Sequence, residues 1–256
     1  MTAEIVRGWD LALTVLPITD DRLRTMVTID EQGDGDVTEI GFQEYFVQRR
    51  HDVEVRSVRF DGADAALAGP GVLDALAGAD RVVIAPSNPI VSIGPLLAVP
   101  GVRDAVVARR ADPVAVSPII AGAALKGPAD RLLRELGHES SVVGVARLYR
   151  DLAATLVIDD ADAHLAPAVE AEGLRCVVTP TIMSGPDEAA ALGRTVLPAC
   201  PPPPPAPPPP AFWMTSAERG AGERAPGGIR GRRAARGAAR RRPGRHDRRH
   251  CGPGRR

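Results

Sequence analysis

Residues 81–95 read RVVIAPSNPIVSIGP, and this stretch decides the fold. Arg81 to Pro86 is short, β-branched and apolar, the pattern of a strand covered on both faces. Ser87, Asn88 and Pro89 interrupt it, and a helical pattern follows from Ser92. A further helical segment, GPGVLDALAGAD at 69–80, precedes it. Three more apolar runs downstream have the same character: PVAVS at 113–117, TLVID at 155–159 and RCVVT at 175–179. Between and after them lie GPADRLLRELG, SSVVGVARLYRDL, LAPAVEAEG and PDEAAALGRTVL, each with apolar residues three and four apart. Strand and helix alternate, which predicts an α/β fold with a Rossmann-like parallel sheet covered by helices.

The first 60 residues follow another pattern. TMVTID and VTEIGF flank a GDGD turn at 33–36 and predict a hairpin, to which EVRSVRF adds a strand. The expected organisation is a small α+β subdomain over 1–60, a Rossmann-like domain over 61–197 and a disordered Pro/Arg-rich tail over 198–256.

Composition supports that division. The chain has 256 residues and a formal net charge of zero, 32 basic against 32 acidic. The balance hides a split: Met1 to Leu197 holds 18 basic and 29 acidic residues, and Pro198 to Arg256 holds 14 and 3. The tail has nine Pro in the ten positions 201–210 and then an Arg-rich end. Such a segment buries too little apolar surface to offset its chain entropy. Its composition is that of GC-rich codons read out of frame, so a frame-shifted end without a selected function is one expectation. Its affinity for polyanions is then incidental, and no specific nucleic-acid partner is expected. Aromatic residues at 3% also argue against a base-stacking platform. No run of 18 apolar residues predicts a membrane span, and no apolar leader is visible at the start. Three dispersed cysteines make neither a disulfide framework nor a zinc pattern, so a reducing cytoplasm is the expected setting.

Candidate chemistry gathers after the strands, where open parallel sheets bind ligands. Ser87 and Asn88 sit at the mouth of the first strand. Ser92 reads as an N-cap, and Gly94 leaves room for a ligand at the first helical turn, so an anion is one reading and an ordinary capped loop the other. Lys126, the only lysine, follows the second strand in LKGPAD; it reads either as a partner for an anion at the same edge or as a solvated loop cation. Asp20 and Asp21 in TDDR read as carboxylates for Mg²⁺ beside a phosphate, or as the cap of a helix over RLRTMV. In FQEYFVQRR, Gln43, Glu44, Arg49 and Arg50 read as a solvated polar face. Asp159, Asp160 and Asp162 read as caps of the next helix. His51, His138 and His164 are scattered, and no G-x-S-x-G, H-E-x-x-H or P-loop pattern occurs.

LPITDDRLRT, FQEYFVQRR, APSNPIVSIGPLL, SPIIAGAALKGPAD and VVTPTIM, in that order, resemble the 2-phospho-L-lactate transferases of coenzyme F-420 biosynthesis, including the actinobacterial phosphoenolpyruvate transferases. The resemblance runs from about Leu11 to Leu197. It implies a transferase of substituted phosphate groups that moves a phospholactyl or phosphoenolpyruvyl group from a guanosine diphosphate-linked donor. The implied acceptor is the ribityl hydroxyl of 7,8-didemethyl-8-hydroxy-5-deazariboflavin, GMP leaves, and Mg²⁺ assists. On that resemblance Ser87, Asn88, Ser92, Gly94 and Lys126 face the donor diphosphate, and Asp20 and Asp21 lie near metal or acceptor. The choice of lactyl or enolpyruvyl donor stays open, as does the oligomeric state, a homodimer being one expectation.

The family's amino-terminal strand and glycine-rich phosphate loop have no counterpart here, nor does its usual carboxyl end after about Leu197. The expectation is therefore a fragment that does not carry out the transfer alone. A nucleotide-binding regulatory protein of the related Rossmann-like group is the competing reading; only the transferase should bind the deazaflavin.

Overall fold

The computed structural model describes residues 2–8, 13–50 and 53–199. These all fall within one compact unit, Met1–Pro205; the second unit, Ala206–Arg256, lies outside the described residues. A short helix, α1 (Thr2–Gly8), opens the chain. It is followed by a three-stranded antiparallel sheet of β1 (Arg24–Asp30), β2 (Val37–Gly41) and β3 (Glu54–Asp61), in the order β2-β1-β3. β1 alternates: Val27 and Ile29 are fully buried, and Thr28 between them accepts from Ser57 Oγ on the solvent side. A two-residue side-chain period of this kind can bury only one face of a sheet. The outer face is tied across strands by charge, with Arg59 bridging Glu39 and Asp61. At the hairpin turn, Asp30 Oδ1 accepts from Gly33 N and its Oδ2 from Arg56. The Arg56 guanidinium holds the Asp30 carboxyl below the usual carboxylate range.

The expected hairpin and third strand are thus present. The helix cap considered for RLRTMV is not: those residues run into β1, because Thr25, Val27, Thr28 and Ile29 are β-branched and alternate between faces. Asp21 instead accepts from Leu67 N, and Gly69 N donates to Ile18 O, so the 18–21 segment is stapled to the 67–69 loop.

From Val72 the chain becomes α/β. α2 (Val72–Gly78) leads to β4 (Val83–Ile84); a π-turn at Pro89–Ile93 runs into α3 (Gly94–Ala98), then α4 (Val102–Val107) and β5 (Val114–Val116). A two-stranded hairpin, β6 (Ile119–Ile120) and β7 (Ala123–Ala124), precedes α5 (Ala129–Glu135) and α6 (Val142–Tyr149). Then come β8 (Thr155–Ile158), a 3₁₀ turn at Asp160–Leu165, α7 (Ala166–Ala171), β9 (Arg175–Val178) and α8 (Pro186–Ala199). The four strands form one parallel sheet, β4-β5-β8-β9, in register from Val83↔Val114 to Ile158↔Val178.

Strand alternation explains how both faces are covered. Ala115, Leu156 and Ile158 pack with Leu133, Val142, Val145, Ala146 and Tyr149 from α5 and α6. Val114, Val116 and Val157 point the other way, onto Leu192 and Val196 of α8. The inward residues of α6 are three and four apart, as a helix lying on a sheet requires. The Tyr149 hydroxyl ends in this core without a hydrogen-bond partner among the described residues, and burial pushes its pKa up.

Leu132 of α5 joins the two sheets. It is fully buried among Val27, Ile29, Ile40, Tyr45 and Val55. Three residues along, Glu135 Oε2 accepts from Val55 N at 2.9 Å and so engages the edge of β3. The antiparallel sheet is therefore fixed against the helix that follows the Lys126 loop. The tail expected from 198 onward begins inside α8, which carries Pro198 and Ala199; residues 200–256 lie outside the described residues. Among the described residues no helix is long and apolar enough to cross a membrane.

Candidate functional site

The loops leaving β4 and β5 meet over the carboxyl edge of the parallel sheet. In the first, Asn88 Oδ1 accepts from Ile90 N at 2.9 Å and from Val91 N at 3.2 Å. Asn88 is therefore the N-cap of this turn, in place of Ser92; Pro89 follows at the first helical position, where its missing N–H costs nothing. Ser92 lies one turn later and is exposed, with its N–H given to Asn88 O.

The structure brings Ser87, Asn88, Ser92 and Lys126 to the lining of one cleft of about 260 Å³. Gly94 lies elsewhere. A Cβ there would stand 2.8 Å from Phe60 Cζ, so this glycine makes room for the aromatic ring of β3. Asp20 is exposed, Asp21 is spent on Leu67 N, and neither carboxylate lines the cleft. No group of three or more His, Cys, Asp or Glu suited to a metal ion occurs among the described residues.

Two features of the cleft suit an anion. Lys126 is exposed and pairs with no carboxylate among the described residues. Asn88 Nδ2 is buried without an acceptor among the described residues. A buried donor left unmade costs roughly 1–3 kcal/mol, and an oxygen-rich ligand would recover that. Part of the lining is apolar. Phe42 and Phe46 stack with centroids 5.8 Å apart, and both line the cleft. Between them Tyr45 is fully buried, while Gln43, Arg49 and Arg50 of the same segment are exposed, the polar face expected of them. Arg49 does face solvent and pairs with Glu31. The signal that locates the two rings is their spacing of four residues, one helical turn, so that they share a face.

A larger cleft of about 500 Å³ adjoins the first and shares Pro86 and Lys126 with it. One wall carries Pro118, Ile120 and Leu125, and the other runs from Thr181 to Ser184. Lys126 therefore stands at the junction of a polar recess and a wider, more apolar one. Asp159, expected to cap the next helix, does so by accepting from Ala161 N. It also accepts from Thr181 N and Thr181 Oγ1, a link between strand ends that spacing alone does not reveal. Desolvation works to raise its pKa, and the three hydrogen bonds outweigh it, leaving the carboxyl below its usual range.

The family model for 2-phospho-L-lactate transferase CofD matches residues 1–180. A phosphoenolpyruvate transferase of Kitasatospora aureofaciens is 44% identical over 199 residues, 77% of this chain and 61% of that one. A phosphoenolpyruvate transferase of Mycolicibacterium smegmatis is 39% identical over 197 residues, 77% and 60% of the two chains. The chain thus spans about three fifths of the length of the curated relatives it matches. Among solved structures, a Bacillus halodurans protein described as a member of the UPF0052 family superposes with a TM-score of 0.50 at 16% identity. That match covers 76% of this chain and 65% of the other, and at this identity the likeness speaks for the fold alone.

Proposed function

The chain belongs to the 2-phospho-L-lactate transferase CofD family, and from that premise we propose that its Asn88–Lys126 cleft receives the diphosphate of a guanosine diphosphate-linked donor. The donated group is a phospholactyl or phosphoenolpyruvyl unit. The acceptor is the ribityl hydroxyl of 7,8-didemethyl-8-hydroxy-5-deazariboflavin, in cytoplasmic coenzyme F-420 biosynthesis. One observation carries the reading: among the described residues Lys126 has no ion-pair partner, and Asn88, whose buried Nδ2 has no acceptor, lines the same cleft.

In this reaction the acceptor oxygen forms a bond to the phosphorus bearing the acid. The bond from that phosphorus to the bridging oxygen breaks, and GMP leaves with that oxygen. The hydroxyl proton passes to solvent. Chemistry of this kind asks the protein mainly for positioning and charge neutralisation. Lys126 offsets negative charge on the diphosphate, Asn88 Nδ2 donates to a phosphate oxygen, and the hydroxyls of Ser87 and Ser92 complete the polar side. Phe42 and Phe46 form an apolar wall that limits water. Magnesium enters the proposal only as an ion carried on the donor's phosphates, a mode that suits its preference for phosphate oxygens and retained water.

Titration calorimetry of the chain with GDP tests the reading. Lys126→Met is expected to weaken GDP binding by roughly 30-fold, the loss of one charge-assisted contact worth about 2 kcal/mol. Its unfolding midpoint should match the parent's, because the exposed Lys126 makes no ion pair within the described residues. Equal GDP affinity in the two proteins would remove Lys126 from the site.

A further inference from the structure

The 3₁₀ turn that follows β8 holds both walls of the larger cleft. Asp162, only 2% exposed, accepts from Ala121 N at 2.9 Å through Oδ2. Asp159, 8% exposed, accepts from Thr181 N at 2.8 Å and Thr181 Oγ1 at 3.0 Å. Ala121 belongs to the β6–β7 hairpin, which runs on into Leu125 and Lys126; Thr181 begins the facing wall. Two carboxylates three residues apart therefore engage opposite sides of one recess.

The hairpin needs such an anchor. Its turn residues are Ala121 with φ 49° and Gly122 with φ 76°, both left-handed. Two-residue hairpins of this hand ordinarily use Asn or Gly at the first position, and an alanine there costs about 1–2 kcal/mol. The Asp162 carboxylate captures the Ala121 N–H in that conformation, and Ser140 Oγ donates to Gly122 O at 2.9 Å from the other side.

We propose that Asp162 is a positioning residue: it locks the strained β6–β7 hairpin so that Lys126 stands at the junction of the two clefts, while Asp159 fixes the opposite wall. The consequence for ligand binding rests on the diphosphate reading above; the hold on the hairpin does not. Asp162 touches no ligand in this account and acts through Ala121 and the chain leading to Lys126.

The experiment uses the full chain with Asp162→Ala, Asp162→Asn and the double variant Asp162→Ala/Ala121→Gly. It reads GDP affinity and amide exchange over residues 119–126. Asp162→Ala is expected to weaken GDP binding about tenfold or more, in line with the penalty for misplacing a binding group by an ångström. It should also speed exchange in the hairpin. Asp162→Asn keeps an acceptor for Ala121 N and should stay near the parent in both. Adding Ala121→Gly removes the strain and should restore part of the loss. Asp162→Ser, whose hydroxyl falls short of Ala121 N, is read in the same way if the alanine variant does not fold. Unchanged hairpin exchange in Asp162→Ala overturns the proposal. So does an equal loss in Asp162→Ala and Asp162→Asn with no restoration by Ala121→Gly, the pattern of a purely structural residue. A parent chain that fails to bind GDP refutes the diphosphate reading alone, and hairpin exchange then decides the positioning claim.

Discussion

Asn88→Asp is expected to abolish measurable GDP binding while leaving the fold intact. The substitution separates two jobs that one side chain performs. Asn88 Oδ1 caps Ile90 N and Val91 N, and a carboxylate oxygen in its place makes the same bonds. The other atom changes from the Nδ2 donor, without an acceptor among the described residues, to an anionic oxygen on a residue that lines the cleft. A donor that should meet phosphate becomes a charge that repels it. Loss of the bond and the new repulsion together are worth about 3–4 kcal/mol, a few hundredfold in affinity. Asn88→Ala is the control with the opposite balance: it removes the cap as well, at a stability cost of about 1 kcal/mol. Calorimetry and thermal unfolding on the three proteins decide the matter. An aspartate variant that binds GDP like the parent would show that the capping oxygen is the residue's whole purpose.

Gly144→Ala is expected to be severely destabilising, by about 3 kcal/mol or more, against the usual sign for a helix. Replacing glycine with alanine inside a helix ordinarily gains about 1 kcal/mol. Here a Cβ would stand 1.9 Å from Glu139 O and 2.8 Å from Glu139 C, and both are backbone atoms. Neither can swing aside. Ser141 Oγ caps α6 by accepting from Val143 N and Gly144 N, and the same hydroxyl donates to Glu139 Oε1. Glu139 also pairs with Arg147, one turn into the helix. The clash must therefore displace α6, whose Val142, Val145, Ala146 and Tyr149 are core residues. Overpacking of this kind costs typically 1–3 kcal/mol and more when backbone must move. For a domain of this size the midpoint should fall by roughly 10 °C. A variant as stable as the parent would mean that α6 does not approach residue 139 so closely.

The fold was legible where one physical rule dominates. Strands buried on both faces must be apolar along their length, so Val114 to Val116 and Leu156 to Ile158 stand out as uninterrupted runs. The hairpin of β1 and β2 was legible because its buried face is one residue in two. Reading failed where several local rules compete. Asn88 and Ser92 are both good caps, and only the position of Pro89 and the turn geometry decide between them. Gly94 reads as ligand space, but what occupies that space is Phe60, distant in sequence. The β6–β7 hairpin escaped notice because its strands are two residues long and its turn uses Ala121 against preference.

The site was legible in the same partial way. Ser87, Asn88, Ser92 and Lys126 lie after strands, where the topology of a parallel sheet gathers loops, so their convergence follows from strand order. Phe42 and Phe46 come from the antiparallel sheet, and only the docking of that sheet through Leu132 and Glu135 brings them near. The second roles of Asp159 and Asp162 depend on hydrogen bonds across 22 and 41 residues, beyond the reach of local pattern.

The central claim is that the Asn88–Lys126 cleft takes the diphosphate. Its most direct test is a titration of the isotope-labelled chain with GDP, followed through backbone amide chemical shifts. The expected result is a saturable set of shifts centred on Ser87 to Ser92 and Lys126 to Ala129, absent in Asn88→Asp. Saturable shifts confined to other surfaces, with Asn88 and Lys126 unmoved, would contradict it.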